Sequence, residues 1–308
     1  VSAAAGSVAI GNGAESATKS GVVIGDGAGV GSGSGVVGNR YGHVAIGGEA
    51  GTGVQGGYNI SVGYKAGSSI TGDDTVSIGR YAAQNLVGER TISIGYGANH
   101  NPGKTGAGLP LEPEVVAKNA VAIGDLSRSG SDGSVALGST AVVGDYDLHG
   151  IAIGHQALVK AGTDKGVSAG GIAIGDSALV THSNSVAIGA NSQSTAVIGA
   201  GYGIPRGRVS PKSRLSFGSP PGERRLTNVA AGQQNTDAVN VSQLKQLHGD
   251  LATVVGGNLS WDATTGTLTQ PAFLIKDENG KTQSYNSIGG ALEAMRVGVA
   301  AQINGLDA

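Results

Sequence analysis

Cysteine is absent from this 308-residue chain. That excludes a disulfide framework, thiolate metal sites and a cysteine nucleophile together. Aromatic residues are only 4 % of the total, with 2 Phe and 1 Trp, and there is a single Met. Large side chains fill the deep core of an ordinary globule, so this chain is not expected to build one. Net charge is -2, which gives no overall attraction to nucleic acid or acidic lipid. No run of 18 apolar residues exists, so no membrane-spanning helix is expected. No signal peptide opens the chain, and for an exported protein the targeting and anchoring parts are expected outside it.

What the chain has is glycine, 57 residues of it, and a repeat. Val8-Ala9-Ile10-Gly11 recurs with Ile24, Ile46, Val62, Ile78, Ile94, Ile123, Leu137, Ile153, Ile174 and Ile188 in the third position, eleven good copies in all. A degenerate copy, Ala196-Val197-Ile198-Gly199, ends the series. The glycines step by 14 from Gly11 to Gly25 and Gly175 to Gly189, and by 16 from Gly47 through Gly63 and Gly79 to Gly95. Longer steps read as insertions, the clearest between Gly95 and Gly124 with Pro102, Pro110 and Pro113.

Each word reads as a short strand whose β-branched residues share one face. Small residues such as Ser7 and Ala9 take the other, and both faces are expected to be buried. The glycine permits a sharp turn. One period then holds two short strands and two turns, the second strand (Glu15 to Lys19 in the first coil) being polar and facing water. Stacked roughly 4.8 Å apart, a dozen coils make a rod of roughly 55 Å. A chain of thin layers buries little of itself, so partner copies are expected to supply the rest.

This pattern over residues 1–199 resembles the head of YadA-like trimeric autotransporter adhesins, also called haemagglutinin repeats. The resemblance implies a mainly β fold, a homotrimeric left-handed parallel β-roll, with Val8, Ile10, Ile24, Ile46, Ile78, Ile94, Ile123, Ile153, Ile174 and Ile188 in the trimer and roll core. A more specific likeness lies in Leu226-Thr227-Asn228-Val229-Ala230-Ala231-Gly232 and in the stretch from Thr236 to Leu244, which resemble the family's neck. Arg225, Asn228, Val229, Asp237, Val241, Leu244 and Leu247 are its key residues on that reading. The Pro220-Pro221 pair departs from the commonest pattern.

The residues themselves agree. Thr236 or Asp237 suits an N-cap, and Leu244, Leu247, Leu251 and Val254 form a short coiled-coil seam that stops at Gly256-Gly257. Asn240 falls on that seam when the heptad is extended backward, where a polar residue fixes register. Between residues 258 and 286, Trp261, Leu268, Phe273, Ile275 and Tyr285 sit among turn signals at Thr265-Gly266 and Asn279-Gly280, a small β module that resembles the family's Trp-ring type. Ile288, Leu292, Met295, Val299, Gln302 and Leu306 form a second seam, the start of a stalk. The domains are therefore 1–199 head, 200–235 connector, 236–257 neck helix, 258–286 β module and 287–308 stalk start.

Catalytic, cofactor and metal sites are not expected. His43, His100, His149, His155, His182 and His248 are scattered and read as surface-loop histidines. Asp73-Asp74, and Asp145 with Asp147, read as solvated turn carboxylates, because a thin roll encloses no pocket for acid–base work. Gly33, Gly35 and Gly38 have dinucleotide-loop spacing but no strand-then-helix around them. Arg206, Arg208, Lys212, Arg214, Arg224 and Arg225 make a basic cluster, read as inter-chain bonding to backbone and carboxylates rather than an anion site. Left-handed acyltransferase helices have three faces of about six residues per coil, a longer period than 14 to 16. An ice-binding face would need ranked threonines, and Thr18, Thr75 and Thr91 form no rank.

The resemblance implies a passenger fragment on the bacterial cell surface, anchored in the outer membrane through a C-terminal region outside this chain. Its partners would be two more copies of itself and host collagen, fibronectin, laminin or cell surfaces, with no nucleic acid. The alternative is a structural spacer that projects a more distal tip.

Overall fold

A computed structural model describes residues 2–31, 42–100, 117–145, 147–160, 168–195, 213–262, 267–277 and 280–306. The chain divides into two compact units, Val1–Arg224 and Arg225–Ala308.

In the first unit every good copy of the repeat is a three-residue strand, from Val8–Ile10 to Val186–Ile188, and Leu215–Ser216 adds a twelfth. The twelve lie side by side in chain order, all parallel. Equivalent residues are in register, Val8 opposite Val22 and Ile10 opposite Ile24. Parallel neighbours need a crossover rather than a hairpin, so successive strands in strict order make a solenoid, one coil per word. The sheet therefore continues beyond residue 199. The degenerate copy at 196–199 and the three insertion prolines lie outside the described residues.

A second parallel row closes the opposite side of the roll. It is a five-stranded sheet of Arg128–Ser129, Val142–Val143, Leu158–Val159, Leu179–Val180 and Gln193–Ser194. Gln55, Thr71 and Val87 continue the theme as single bridges in the coils of 16 residues. This row is not wholly solvent-facing, as its polar character in the first coil suggested. One residue of each pair points inward, and Ser16, Ser129, Val143, Val159, Val180 and Ser194 are all buried.

The interior is built from the small residues. Ala122, Ala136, Ala152, Ala173 and Ala187, each the middle residue of its word, are 0 % exposed. The flanking β-branched residues point the other way, and Ile10 is 57 % exposed. Between two sheets of one thin coil only Ala or Ser fits opposite Val143, Val159 and Val180. Where a coil holds 16 residues, the interior widens enough for Ile70 and Leu86. Thus Val8, Ile10, Ile24, Ile46, Ile78, Ile94, Ile123, Ile153, Ile174 and Ile188 are not the roll's core: they are half-buried or exposed on its outer face.

Two buried asparagines pair polar groups between coils, while among the described residues the hydroxyls of Ser68, Ser77, Thr91 and Ser131 stay unpaired. The Asn59 side-chain oxygen accepts from the Thr75 N–H at 2.9 Å and hydroxyl at 2.6 Å, and its amide donates to the Gly72 carbonyl at 3.0 Å. Asn99 bridges the Ser93 hydroxyl and the Ser129 N–H, at 3.1 and 2.8 Å. Each bridge costs little because both partners are buried and satisfied.

The word-ending glycines are required twice over. Gly79 sits at φ 124°, where side chains are strained. A Cβ there would lie 2.5 Å from the Gly95 carbonyl oxygen of the next coil.

The second unit begins irregularly and enters helix α1, Val241–Val255. A hairpin-like pair follows, Trp261–Asp262 with Thr267–Leu268, then a second antiparallel pair, Phe273–Lys276 with Thr282–Tyr285. Helix α2 spans Ile288–Leu306 and packs on the second pair. The turn residues Thr265, Gly266 and Asn279 lie outside the described set. Among the described residues no helix is long and apolar enough to cross a membrane.

Candidate interaction surfaces

The first surface is the outward row of the twelve-stranded sheet. First and third residues of successive words align across the ladder, and Val8, Ile46, Ile60, Ile78, Ile92, Leu137 and Ile188 are all 37 to 46 % exposed. Single apolar side chains at a surface mean little, but a continuous stripe marks a covered face. The second unit carries the same signature. Leu244, Leu247, Leu251 and Val254 on α1, and Ile288, Leu292, Met295 and Val299 on α2, are exposed at the spacing of a coiled-coil seam.

The second surface is the start of α1, where the chain is tied into a staple. The N-cap is Asn240, not Thr236 or Asp237. Its side-chain oxygen accepts from the Gln243 N–H at 3.0 Å, and the Gln243 side chain accepts from the Asn240 N–H at 3.3 Å. This reciprocal pair satisfies two N–H groups that the first helical turn leaves over. Gln243 also holds Gly232 through both its N–H and its carbonyl, at 2.9 and 2.8 Å. The Asn240 amide donates to the Val229 carbonyl at 3.0 Å. Asn240 is therefore a cap and not a seam residue, since its extended backbone (ψ 166°) ends the helix before the heptad reaches it. Among the expected neck residues, Arg225, Asn228, Val241 and Leu247 are exposed, Val229 is half-buried, and Asn228 takes a positive φ of 60°.

Asp237 serves the staple from the side. Its carboxylate accepts from the N–H groups of Gln233 and Gln234, both at 2.9 Å. The Gln234 and then the Gln233 N–H hold its pKa below the usual carboxylate value. A depressed folded pKa adds stability above the unfolded value and loses it as pH falls through the folded one. The order of this segment is thus expected to weaken below about pH 4. Hydrogen exchange at the Gln233 and Gln234 amides should show it, and the same experiment on Asp237→Asn should show a flatter acid limb. Identical limbs would remove Asp237 from the account.

The third surface was not legible as a site in the sequence. Tyr64 and Tyr96 directly follow the glycines of two words, and Arg80-Tyr81 follows the glycine of the word between them. Stacking brings the rings into one row. Tyr64 and Tyr81 meet edge to face at 5.7 Å between centroids, and Tyr81 and Tyr96 at 6.1 Å. The Arg80 guanidinium lies 4.8 Å from the Tyr81 ring centre, 5.8 Å from that of Tyr96 and 6.0 Å from that of Tyr64. His100 closes the row against Tyr81 at 5.9 Å, and burial lowers its pKa. The available signal was an aromatic at a fixed offset from the repeat glycine, blurred by the one-residue shift at Arg80.

The remaining candidates sort plainly. His149, His155 and His182 are exposed, and His155 pairs with Asp176 at 2.7 Å. His43 is only 6 % exposed, so it is no surface histidine. His248 is half-buried and stacks on Trp261 at 4.5 Å. Asp145 and Asp147 are not solvated carboxylates either: Asp145 bonds Arg128 at 2.5 Å and Asp147 is 2 % exposed. Asp73 accepts from the Gly57 N–H at 2.7 Å. No cluster of three metal-ligating side chains exists among the described residues. Arg206, Arg208, Lys212, Gly33, Gly35 and Gly38 lie outside those residues. Arg224 bonds the carbonyls of Ala190 and Phe217, both at 2.6 Å, and the Ser192 hydroxyl at 3.0 Å. Those bonds were expected between chains, but Arg224 makes them within its own, closing the last coil.

Comparison with known proteins places these surfaces in context. Residues 225–267 match the family described as the coiled stalk of trimeric autotransporter adhesin. The chain is 40 % identical over 118 residues to autotransporter adhesin EhaG of Escherichia coli O157:H7, covering 36 % of this chain and 7 % of EhaG. It is 35 % identical over 77 residues to trimeric autotransporter adhesin AtaA of Acinetobacter sp. strain Tol 5, covering 24 % and 2 %. The chain thus spans a small part of the relatives it matches. Among solved structures, the collagen-binding domain of the Yersinia adhesin YadA aligns at a TM-score of 0.36 and 26 % identity, over 58 % of this chain and 84 % of that one. The C-terminal YadA-like domain of a Burkholderia pseudomallei protein aligns at 0.25 and 28 %, over 33 % and 57 %.

Proposed function

We propose that this chain, part of a YadA-like trimeric autotransporter adhesin, is a non-catalytic segment that assembles with two identical copies and attaches a bacterial surface to host matrix or cells. The observation that carries the assembly is the outward row of Val, Ile and Leu along the twelve-stranded sheet. A stripe of this length in water is unfavourable, and identical copies can cover it with identical stripes. The exposed seams of α1 and α2 ask for the same partners, because helices this short are marginal alone. In such an assembly the outer apolar residues form the layer between chains, while Ala and Ser form the layer within each.

Adhesion then follows from geometry of another kind. A rigid repetitive rod offers the same contacts several times along its length and three times around its axis, so weak contacts add to avidity. Collagen, fibronectin and laminin are the first ligands to test. The purified chain is expected to bind at least one of them saturably and to hold it in high salt. Failure to bind any, with the assembled mass intact, would favour the spacer reading, in which this segment only holds a distal tip away from the cell.

A further inference from the structure

We propose that the row formed by Tyr64, Arg80, Tyr81 and Tyr96 is a binding site for an anionic polysaccharide, one carrying carboxylate or sulfate groups. The proposal rests on the adhesin reading and names a ligand class for one of its surfaces.

Three features select that chemistry. The rings come from three consecutive coils at nearly constant separation, 5.7 and 6.1 Å. A row of fixed pitch suits a polymer that repeats at a similar pitch, and the length of one sugar residue is comparable. Tyr64 and Tyr96 are 41 and 47 % exposed, which leaves ring surface for the C–H faces of pyranoses, while the Tyr64 hydroxyl donates to Glu49 at 3.2 Å.

The second feature is charge. Arg80 is exposed and lies over the rings, with a long 3.3 Å bond to the Tyr81 hydroxyl. It has no carboxylate partner among the described residues. The neighbouring Lys65, by contrast, is paired with Glu49 at 3.4 Å. A guanidinium held near three ring centres can offer its fork of N–H groups to a carboxylate or sulfate.

The third feature argues against a peptide. Extended peptides bind by adding main-chain hydrogen bonds to a free strand edge. Here the backbone is already used coil to coil: the Gly79 N–H donates to Val62 and the Gly95 N–H to Ile78, each at 2.8 Å. What remains for a ligand is side chains alone, a row of alternately turned rings with one cation, which is a saccharide's complement.

The test is binding of the full chain to immobilised heparin (sulfate and carboxylate), hyaluronan (carboxylate only) and dextran (neutral), with fibronectin and collagen as parallel arms. Binding to heparin or hyaluronan but not dextran is expected. Arg80→Gln should weaken it about tenfold and Arg80→Lys by less, since the lysine keeps charge but loses the fork. Tyr96→Ala should weaken it severalfold. Thermal melts of each variant should match the parent, as both positions are exposed. Three results would overturn the proposal: no binding to either anionic polymer, equal binding by Arg80→Gln, or loss of binding only on replacing Arg225 in the basic stretch. Matrix-protein binding by the parent with no binding to either anionic polymer would leave the adhesin reading standing while the glycan site falls. Loss of the matrix arms alone, with polymer binding intact in the parent, would do the reverse.

Discussion

Replacing Ile78 and Ile94 together by Asp is expected to abolish the particle of about 90 kDa that three chains of 30.0 kDa would form. Both side chains lie on the outward face, Ile78 39 % exposed and Ile94 half-buried, and their neighbouring strands pair in register. In a single chain the substitution touches nothing buried, so the roll's own hydrogen bonds survive. In the assembly it places six carboxylates in an apolar layer. Each lost isoleucine contact removes about 1.5–3 kcal/mol, and each buried unpaired charge adds several more. Summed over six side chains this reaches roughly 30 kcal/mol per particle at full burial, far more than the roughly 8 kcal/mol that holds a micromolar complex. Light scattering reads the mass directly. An unchanged mass with an unchanged melting temperature would show that the row faces solvent in the working protein.

The companion experiment attacks the roll from inside. Gly79→Val is expected to destroy the coils around it, whatever the state of assembly. Valine cannot adopt φ 124° without strain of about 1–3 kcal/mol. Its Cβ would also meet the Gly95 carbonyl at 2.5 Å, and relieving such overpacking costs about 1–3 kcal/mol more. The same carbonyl stands in a stack in which each glycine rests on the next, so the displaced coil carries its neighbours with it. A lowered, broadened melt is expected, with early hydrogen exchange at the amides of Gly63, Gly79 and Gly95. Gly249, in α1, has nothing within 4 Å of a Cβ, and Gly249→Ala should leave the melt unchanged or slightly raised. Equal behaviour of the two substitutions would refute the stacking argument.

These two experiments also mark what could be read from sequence. The strands, their order and their parallel stacking are legible, because one word recurs at 14 or 16 residues and each word ends in glycine. Which face turns inward is not legible. The habit that large apolar residues go inside assigns Ile10 and Ile94 to the core, but the coil is too thin to hold them, and Ala152 and Ser93 take that place. Thickness is a property of the closed coil, not of any residue. The cap of α1 had a local signal, Asn240 three residues before Gln243, the capping-box spacing. Thr236 and Asp237 are equally good cap formers on composition, and only the bonds to Val229 and Gly232 separate them. The burial of His43 and Asp147 depends on the coils above and below, which no single segment of sequence encodes.

The ladder passes over its interruptions. The step from Gly95 to Gly124 is 29, yet Ile92 still pairs with Val121 and Ile94 with Ile123, as they would across an uninterrupted coil. The step from Gly25 to Gly47 is 22, and Val22 still meets Val44. For a lineage carrying this gene, the steps between words can lengthen or shorten without recoding the paired strands.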